Sequence, residues 1–167
     1  MMDKKVIIIL LSITMVFTLF ACHNSNENYK VIPYVTQNKG ARYDVLIASQ
    51  GSSFKDSLVS HVLKDYQDQS IRFKVIDAYT LFTVDIEKWD AIIIINSWEY
   101  VDPPKNIREF IRSNKKNADK LIILSTVGSH NMVFDDIDTI SGESVIEKIP
   151  DYTKILSGRL DKILNKT

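Results

Sequence analysis

Cysteine is almost absent from this chain of 167 residues: Cys22 stands alone, so no internal disulfide can form. Histidine is nearly as scarce. His23, His61 and His130 lie far apart, without the spacing of metal ligands, and no metal centre is expected. A charge excess is missing too, since 21 Lys and Arg balance 21 Asp and Glu. Nothing in that balance points to nucleic acid, and clusters such as Lys115-Lys116 and Asp135-Asp136 read as solvated surface. The domain holds no internal repeat and no low-complexity tract. A nucleophile–base pair is also lacking, because Ser129 and His130 are sequence neighbours and poorly placed to join side chain to side chain. Asp77 and Asp85, near strand ends, could serve as general bases but read better as solvated loop residues. Hydrolysis is not expected.

What is present begins with an export pattern. Lys4 and Lys5 precede the apolar run 6–11 and then Met15-Val16-Phe17, and the stretch ends at the small residue Ala21. That is the layout of a secretory signal. Leu19-Phe20-Ala21-Cys22 resembles the lipobox of bacterial lipoproteins, in which the cysteine is acylated and becomes the first mature residue. The alternative is an uncleaved anchor, as residues 6–21 are nearly long enough to span a bilayer. The sole cysteine falls where a signal should end, so residues 1–21 are expected to be a lipoprotein signal and Cys22 the lipidation site. Residues 22–41, rich in Asn and Ser at their start, read as a flexible tether to a domain at 42–167. Such a protein would sit lipid-anchored in the bacterial cell envelope, outside the cytoplasm. With 45% hydrophobic and 25% charged residues, the composition is that of an ordinary globular domain.

Within the domain, apolar runs alternate with helical patterns. Val45–Ala48, Ala91–Ile95 and Leu121–Leu124 are continuously apolar, whereas Ile71, Phe73 and Val75 alternate with Arg72 and Lys74. Phe54, Leu58, Val62, Leu63 and Tyr66 recur at helical spacing, as do Tyr152, Ile155, Leu156, Leu160, Ile163 and Leu164. Pro103-Pro104 open a helix carrying Ile107, Phe110 and Ile111, and a short strand is predicted near 137–140. Residues 79–88 leave room for only a turn or two. This alternation predicts an α/β three-layer sandwich with helices on both faces of a parallel five-stranded sheet. Strands covered on both sides should be apolar throughout, which puts 71–75 at an edge and gives the order 2-1-3-4-5.

In an open parallel sheet, ligands bind beyond the carboxyl ends of the strands, where strand order reverses. Three loops meet that description. Ser49-Gln50-Gly51-Ser52-Ser53-Phe54-Lys55 runs from strand into a helix N-terminus, where backbone N–H groups and serine hydroxyls could cradle a phosphate, or where Ser52 or Ser53 simply caps the helix. It lacks the Gly-Lys-Ser/Thr ending of nucleoside-triphosphate loops. Asn96-Ser97-Trp98-Glu99-Tyr100 carries two aromatics that either flank a planar ring or close the top of the core. The third, 126–131, places Gly128 and Ser129 where a ligand could approach the backbone.

Taken together, residues 43–164 resemble a flavodoxin. The loop at 49–54 is similar in place to that family's phosphate loop, though it departs from the Thr-x-Thr-Gly-x-Thr pattern. Trp89-Asp90 with the run 91–97, Tyr100 and Pro103-Pro104 resembles the third strand, flavin-flanking loop and next helix. Trp98 replaces a usual proline there, and a glycine near Asp102 is missing. The resemblance implies non-covalent FMN, electron transfer and a redox protein partner. Ser49, Gln50, Gly51, Ser52, Ser53, Trp98, Tyr100, Gly128 and Ser129 would line that site. A flavin-free lipoprotein of the same fold, with a binding or structural role, is the alternative. Asp138-Thr139-Ile140-Ser141-Gly142-Glu143-Ser144 also resembles a sequence at which some exported proteins receive FMN covalently, with Glu143 in place of alanine. A last strand, a Ser-Gly turn and a cap at Ser144 account for the same residues.

Overall fold

The computed structural model describes residues 30–38, 40–98, 102–126 and 139–165. The signal 1–21, Cys22, Tyr100, Gly128, Ser129 and Asp138 lie outside the described residues. The strands are β1 (Tyr34–Val35), β2 (Tyr43–Ser49), β3 (Ile71–Asp77), β4 (Ala91–Ser97), β5 (Leu121–Thr126) and β6 (Thr139–Gly142). Three α-helices accompany them: α1 (Ser53–Asp65), α2 (Lys105–Ser113) and α3 (Ile149–Leu164).

The five-stranded sheet of order 2-1-3-4-5 is corrected to six strands in the order β1-β3-β2-β4-β5-β6. Strands β2 to β6 pair in parallel, and β1 adds an antiparallel strand outside β3. Tyr34 faces Val75 and Val35 faces Lys74, so residues assigned to the tether belong to the sheet. The physical reason is the open edge of β3, whose N–H and C=O groups would otherwise lack partners. Beside it, the Thr36 amide donates to the Phe73 carbonyl at 2.9 Å, and the Phe73 amide returns a 2.9 Å bond to Thr36 Oγ1. Both residues of β1 are largely exposed, so no apolar periodicity marked them.

Alternate side chains of the sheet fill two cores. Val45, Ile47, Ile93, Ile95, Ile122 and Leu124 pack under α1 and α3. Leu46, Ala48, Ile92, Ile94 and Ile123 pack on the other face, under α2 and the turns between β3 and β4. Those turns are two short 3-10 segments, Ala78–Thr83 and Ile86–Lys88, the turn or two that the length allowed. Residues Ala91 to Ile95 are all 0% exposed, which makes β4 the centre of the molecule. Burying each of its isoleucines contributes about 1.5–3 kcal/mol.

The helices largely follow their apolar spacing, with two departures. Pro104 is the N-cap of α2 rather than a residue of its first turn. On α3, Ile155 is 43% exposed, because the buried stripe runs through Ile149, Tyr152, Thr153, Leu156, Leu160 and Leu164. The i, i+4 series beginning at Tyr152 defines that face, and Ile155 lies on its flank.

Candidate ligand site at the carboxyl ends of the strands

Strands β2 and β4 are neighbours, and their chain continuations part at the carboxyl edge, with α1 on one face and α2 on the other. Ser49, Gln50, Gly51, Ser52 and Ser53 lead from β2 into α1 across this point. Ser52 has extended backbone angles and its hydroxyl accepts from the Lys55 amide at 3.2 Å, so it is the N-cap. The Ser52 carbonyl accepts the Asp56 amide at 2.8 Å, starting the helix. Ser53 follows as an exposed first residue. No intramolecular acceptor meets its amide or that of Phe54 among the described residues, as expected of the first turn. Ser49 is 1% exposed, and its hydroxyl is turned to the Gln50 carbonyl at 3.4 Å.

Gln50 ties the two loops together. Its Oε1 accepts the Ser97 amide at 2.6 Å, while its Nε2 donates to the Tyr79 hydroxyl at 2.9 Å. The Gln50 amide donates to the Ile95 carbonyl at 2.9 Å, and the Trp98 amide to the Thr126 carbonyl at 3.1 Å. Asn96, fully buried, accepts from the Ser125 hydroxyl at 2.9 Å. Buried polar side chains therefore concentrate where the strands end, and each is held by a neighbouring strand or loop.

Lys55, which ends the first loop, is the residue to which the sequence assigned no role. It is only 5% exposed, and its Nζ donates to Ser97 Oγ at 2.8 Å. An ammonium has no acceptor, so Ser97 Oγ must accept here and is free to donate to Thr126 Oγ1, 2.8 Å away. Thr126 Oγ1 in turn reaches the Asn96 carbonyl at 3.4 Å. No carboxylate pairs with Lys55 among the described residues. Burial lowers its pKa from the ordinary lysine range, partly countered by the charge of Asp56. A signal was available. Lys55 lies three residues before Leu58 and four before Val59, so it occupies the stripe that α1 buries.

Trp98 packs against the α2 side of the core and is half-buried. Its indole Nε1 is buried without a hydrogen-bond partner among the described residues. Asp77, expected to be solvated, is 6% exposed: its carboxylate accepts the Tyr79 amide at 2.8 Å and the Val31 amide at 3.2 Å. It caps the 3-10 turn after β3 and holds the segment that leads into β1. Asp85 caps the second 3-10 turn, accepting the Glu87 amide at 3.2 Å.

Ser141 and Gly142 end β6, as the strand-and-turn alternative for that segment required. The cap at Ser144 does not form. Val145 holds the N-cap position of the next turn and, having no acceptor, makes no side-chain cap bond. Gly142 has a different structural reason. A Cβ there would run into the Tyr152 hydroxyl, with Tyr152 Cζ only 2.8 Å away.

No family model matches the chain, and a search of curated proteins found no match. Among solved structures, the chain is similar to a flavodoxin from the domain Archaea. That likeness covers 72% of this chain and 98% of the archaeal one, at 10% sequence identity and a TM-score of 0.50. At such identity the likeness is one of fold alone, and the fold of this chain is a flavodoxin-like α/β sandwich.

Proposed function

We propose that this is a lipid-anchored, flavodoxin-like envelope protein that holds FMN non-covalently and exchanges electrons with a redox protein partner. The observation that carries the reading is the strand-end site itself. A helix N-terminus with unused amides at Ser53 and Phe54 stands beside a buried ammonium, on the edge where β2 and β4 part. These groups suit the phosphate end of FMN, which would lie against the first turn of α1. Trp98 fits the ring end less fully, because its indole is half-buried in the core beneath α2. FMN, when bound, supplies the one- and two-electron chemistry, and the chain's part is to bind, orient and tune it. The anchor rests on Cys22 following an apolar segment that ends at Ala21.

Titration of the purified protein with FMN, followed by quenching of flavin fluorescence, tests the reading. Binding is expected in the micromolar range or tighter. An absence of quenching at millimolar FMN refutes it. For the anchor, Cys22→Ser should release the protein from membranes or leave the precursor uncleaved, and unchanged fractionation and processing refute the lipid.

A second reading, a flavin-free binding protein of the same fold, is favoured by Gln50. Its side chain spans the two loops, engaging both the Ser97 amide and the Tyr79 hydroxyl. The approach to the loop backbone is narrowed by that bridge, so a smaller ligand would suit the site better than a tricyclic ring.

A further inference from the structure

We infer that the β1 edge, with the shallow cavity beside it, is a surface on which the domain docks to anionic phospholipid headgroups. The inference rests on the envelope anchor proposed above and names the surface that the anchored domain turns to the bilayer.

The sheet is covered unevenly. A parallel sheet ordinarily carries helices on both faces, but the connection from β3 to β4 is two short 3-10 turns. Leu81 and Ile86 of those turns are buried on the face that carries Leu46 and Ile76. Arg72 and Lys74, at alternate positions of β3 on the same face, stay exposed. Together with Val35, Asp44, Lys88 and Trp89 they line a cavity of about 320 Å³.

The charges there are only partly spent within the protein. Arg72 is held by Asp44 through two hydrogen bonds. Lys74 makes no ion pair among the described residues, and Lys88 has only Asp85, 3.9 Å away. At the rim, Glu87 meets Lys120 at 3.4 Å and Asp90 accepts the Asp44 amide at 2.7 Å. Two ammonium groups are thus left to meet lipid phosphates. Trp89 is half-buried beside them, and an indole favours the bilayer interface, where its ring is covered and its N–H stays wet. Ile32, 82% exposed, and Val35 add apolar surface at the same edge. The whole chain carries no net charge, so attraction to an anionic membrane has to come from a local patch.

Chain order brings this patch to the bilayer. Cys22 lies eight residues before Lys30, and that stretch spans at most about 28 Å when fully extended. Val35, which lines the cavity, follows five residues after Lys30. An anchor at Cys22, or an uncleaved span ending at Ala21, therefore holds the β1 edge close to the headgroups.

The test reconstitutes the full chain, purified in detergent, into vesicles of phosphatidylcholine with or without phosphatidylglycerol. A nitroxide on the lipid headgroup quenches tryptophan fluorescence at short range, and Trp89→Phe separates the share of Trp89 from that of Trp98. Quenching of Trp89 should be strong with phosphatidylglycerol, weak without it, and should fade with added salt. A lysine at an anionic surface is worth about fivefold. Lys74→Gln combined with Lys88→Gln should therefore lower the docked-to-undocked ratio by about twenty-five-fold. Lys154→Gln with Lys162→Gln, exposed on α3 across the sheet, removes the same charge and should leave quenching unchanged. Quenching indifferent to lipid charge, or lost equally in the α3 variant, overturns the inference. Quenching that follows protein density and not lipid charge assigns the face to a second copy and also overturns it.

Flotation separates docking from the anchor. Retention on neutral vesicles, with quenching that depends on lipid charge, supports both. Retention without such quenching keeps the anchor and refutes the docking surface. Flotation with anionic vesicles alone, lost when Lys74 and Lys88 are replaced, refutes the anchor and keeps the docking surface. Flotation with neither refutes both.

Discussion

Replacing Gly142 by alanine should cost far more than a strand-end glycine ordinarily would, and Tyr152 is the cause. Tyr152 is 7% exposed on α3, and its hydroxyl donates to the Glu143 carbonyl at 3.2 Å. Its ring meets Phe54 edge-on, with centroids 6.0 Å apart. An alanine Cβ would overlap the hydroxyl and lie 2.8 Å from Cζ and 3.1 Å from Cε1, so the ring must move. Moving it forfeits a hydrogen bond of about 0.5–1.5 kcal/mol and an aromatic pair of about 0.5–1.5 kcal/mol. We expect Gly142→Ala to destabilise by about 2–3 kcal/mol, at the upper end of overpacking costs. Tyr152→Phe alone should cost about 1 kcal/mol, the lost hydrogen bond. In the Tyr152→Phe background the overlapping oxygen is gone and the hydrogen bond to Glu143 is already lost, but Cζ at 2.8 Å must still move aside. The second substitution should then cost about 1–2 kcal/mol, a coupling of about 1 kcal/mol between the sites. Equilibrium unfolding in urea, at an unchanged m-value, measures all four corners of the cycle. Additive costs in the two backgrounds, or a neutral Gly142→Ala, would refute the steric account. That result would leave Gly142 open to the other explanation, a sequence recognised for covalent flavin attachment.

Two further expectations concern α3 and its contact with α1. Gly158 lies in the interior of α3 with open space where a Cβ would go, so Gly158→Ala should stabilise by about 0.5–1 kcal/mol; a lower urea midpoint would contradict this. Tyr66 OH donates to Asp161 at 2.8 Å, and burial, then Asp161, push its phenol above the ordinary tyrosine range. In the unfolded chain it ionises near about pH 10. The contribution is therefore complete below that pH and is lost as pH rises toward the folded value, because the unfolded chain releases its proton first. Relative to Tyr66→Phe, wild-type stability should fall by something on the order of 1 kcal/mol by about pH 11, allowing for solvent screening. Parallel stability–pH curves for the two proteins would show that Tyr66 is not so perturbed.

The fold was legible where burial leaves a periodic trace. A strand covered on both faces must be apolar at every position, and 45–48, 91–95 and 121–124 all lie within the buried strands β2, β4 and β5. The alternation at 71–75 marked β3 equally well, since Arg72 and Lys74 remain exposed. Strand β1 left no such trace. It is two residues long and its side chains face solvent, so backbone pairing at the open edge of β3 holds it in place. Hydrogen bonds to the main chain carry no side-chain signature, which is why residues 34–35 read as tether. Asp77 was misjudged for a related reason. Its carboxylate is buried because two amides, at Val31 and Tyr79, converge on it, and one of them comes from 46 residues away.

The geometry of the strand ends was legible in outline and less so in the task of each side chain. Sheet topology pointed to the β2 and β4 ends, and there Gln50 does meet Ser97, while Ser52 caps α1. Counting hydroxyls, however, treated three serines as equivalent when the backbone gives each a different task. Ser49 is turned inward, Ser52 is committed to the cap, and only Ser53 is exposed. What the loop lacks in free hydroxyls it has in charge, through a lysine on the buried stripe of α1. Helical spacing identifies such a residue only if the polar exception in an apolar stripe is read as deliberately as the stripe itself. Lys55 is buried along its length and brings its one charge to Ser97, at the end of β4. A neutral cradle selects a phosphate by hydrogen-bond geometry, whereas a buried ammonium adds a preference for net charge. The FMN reading therefore expects tighter binding of FMN than of riboflavin, and equal affinity for the two would count against it.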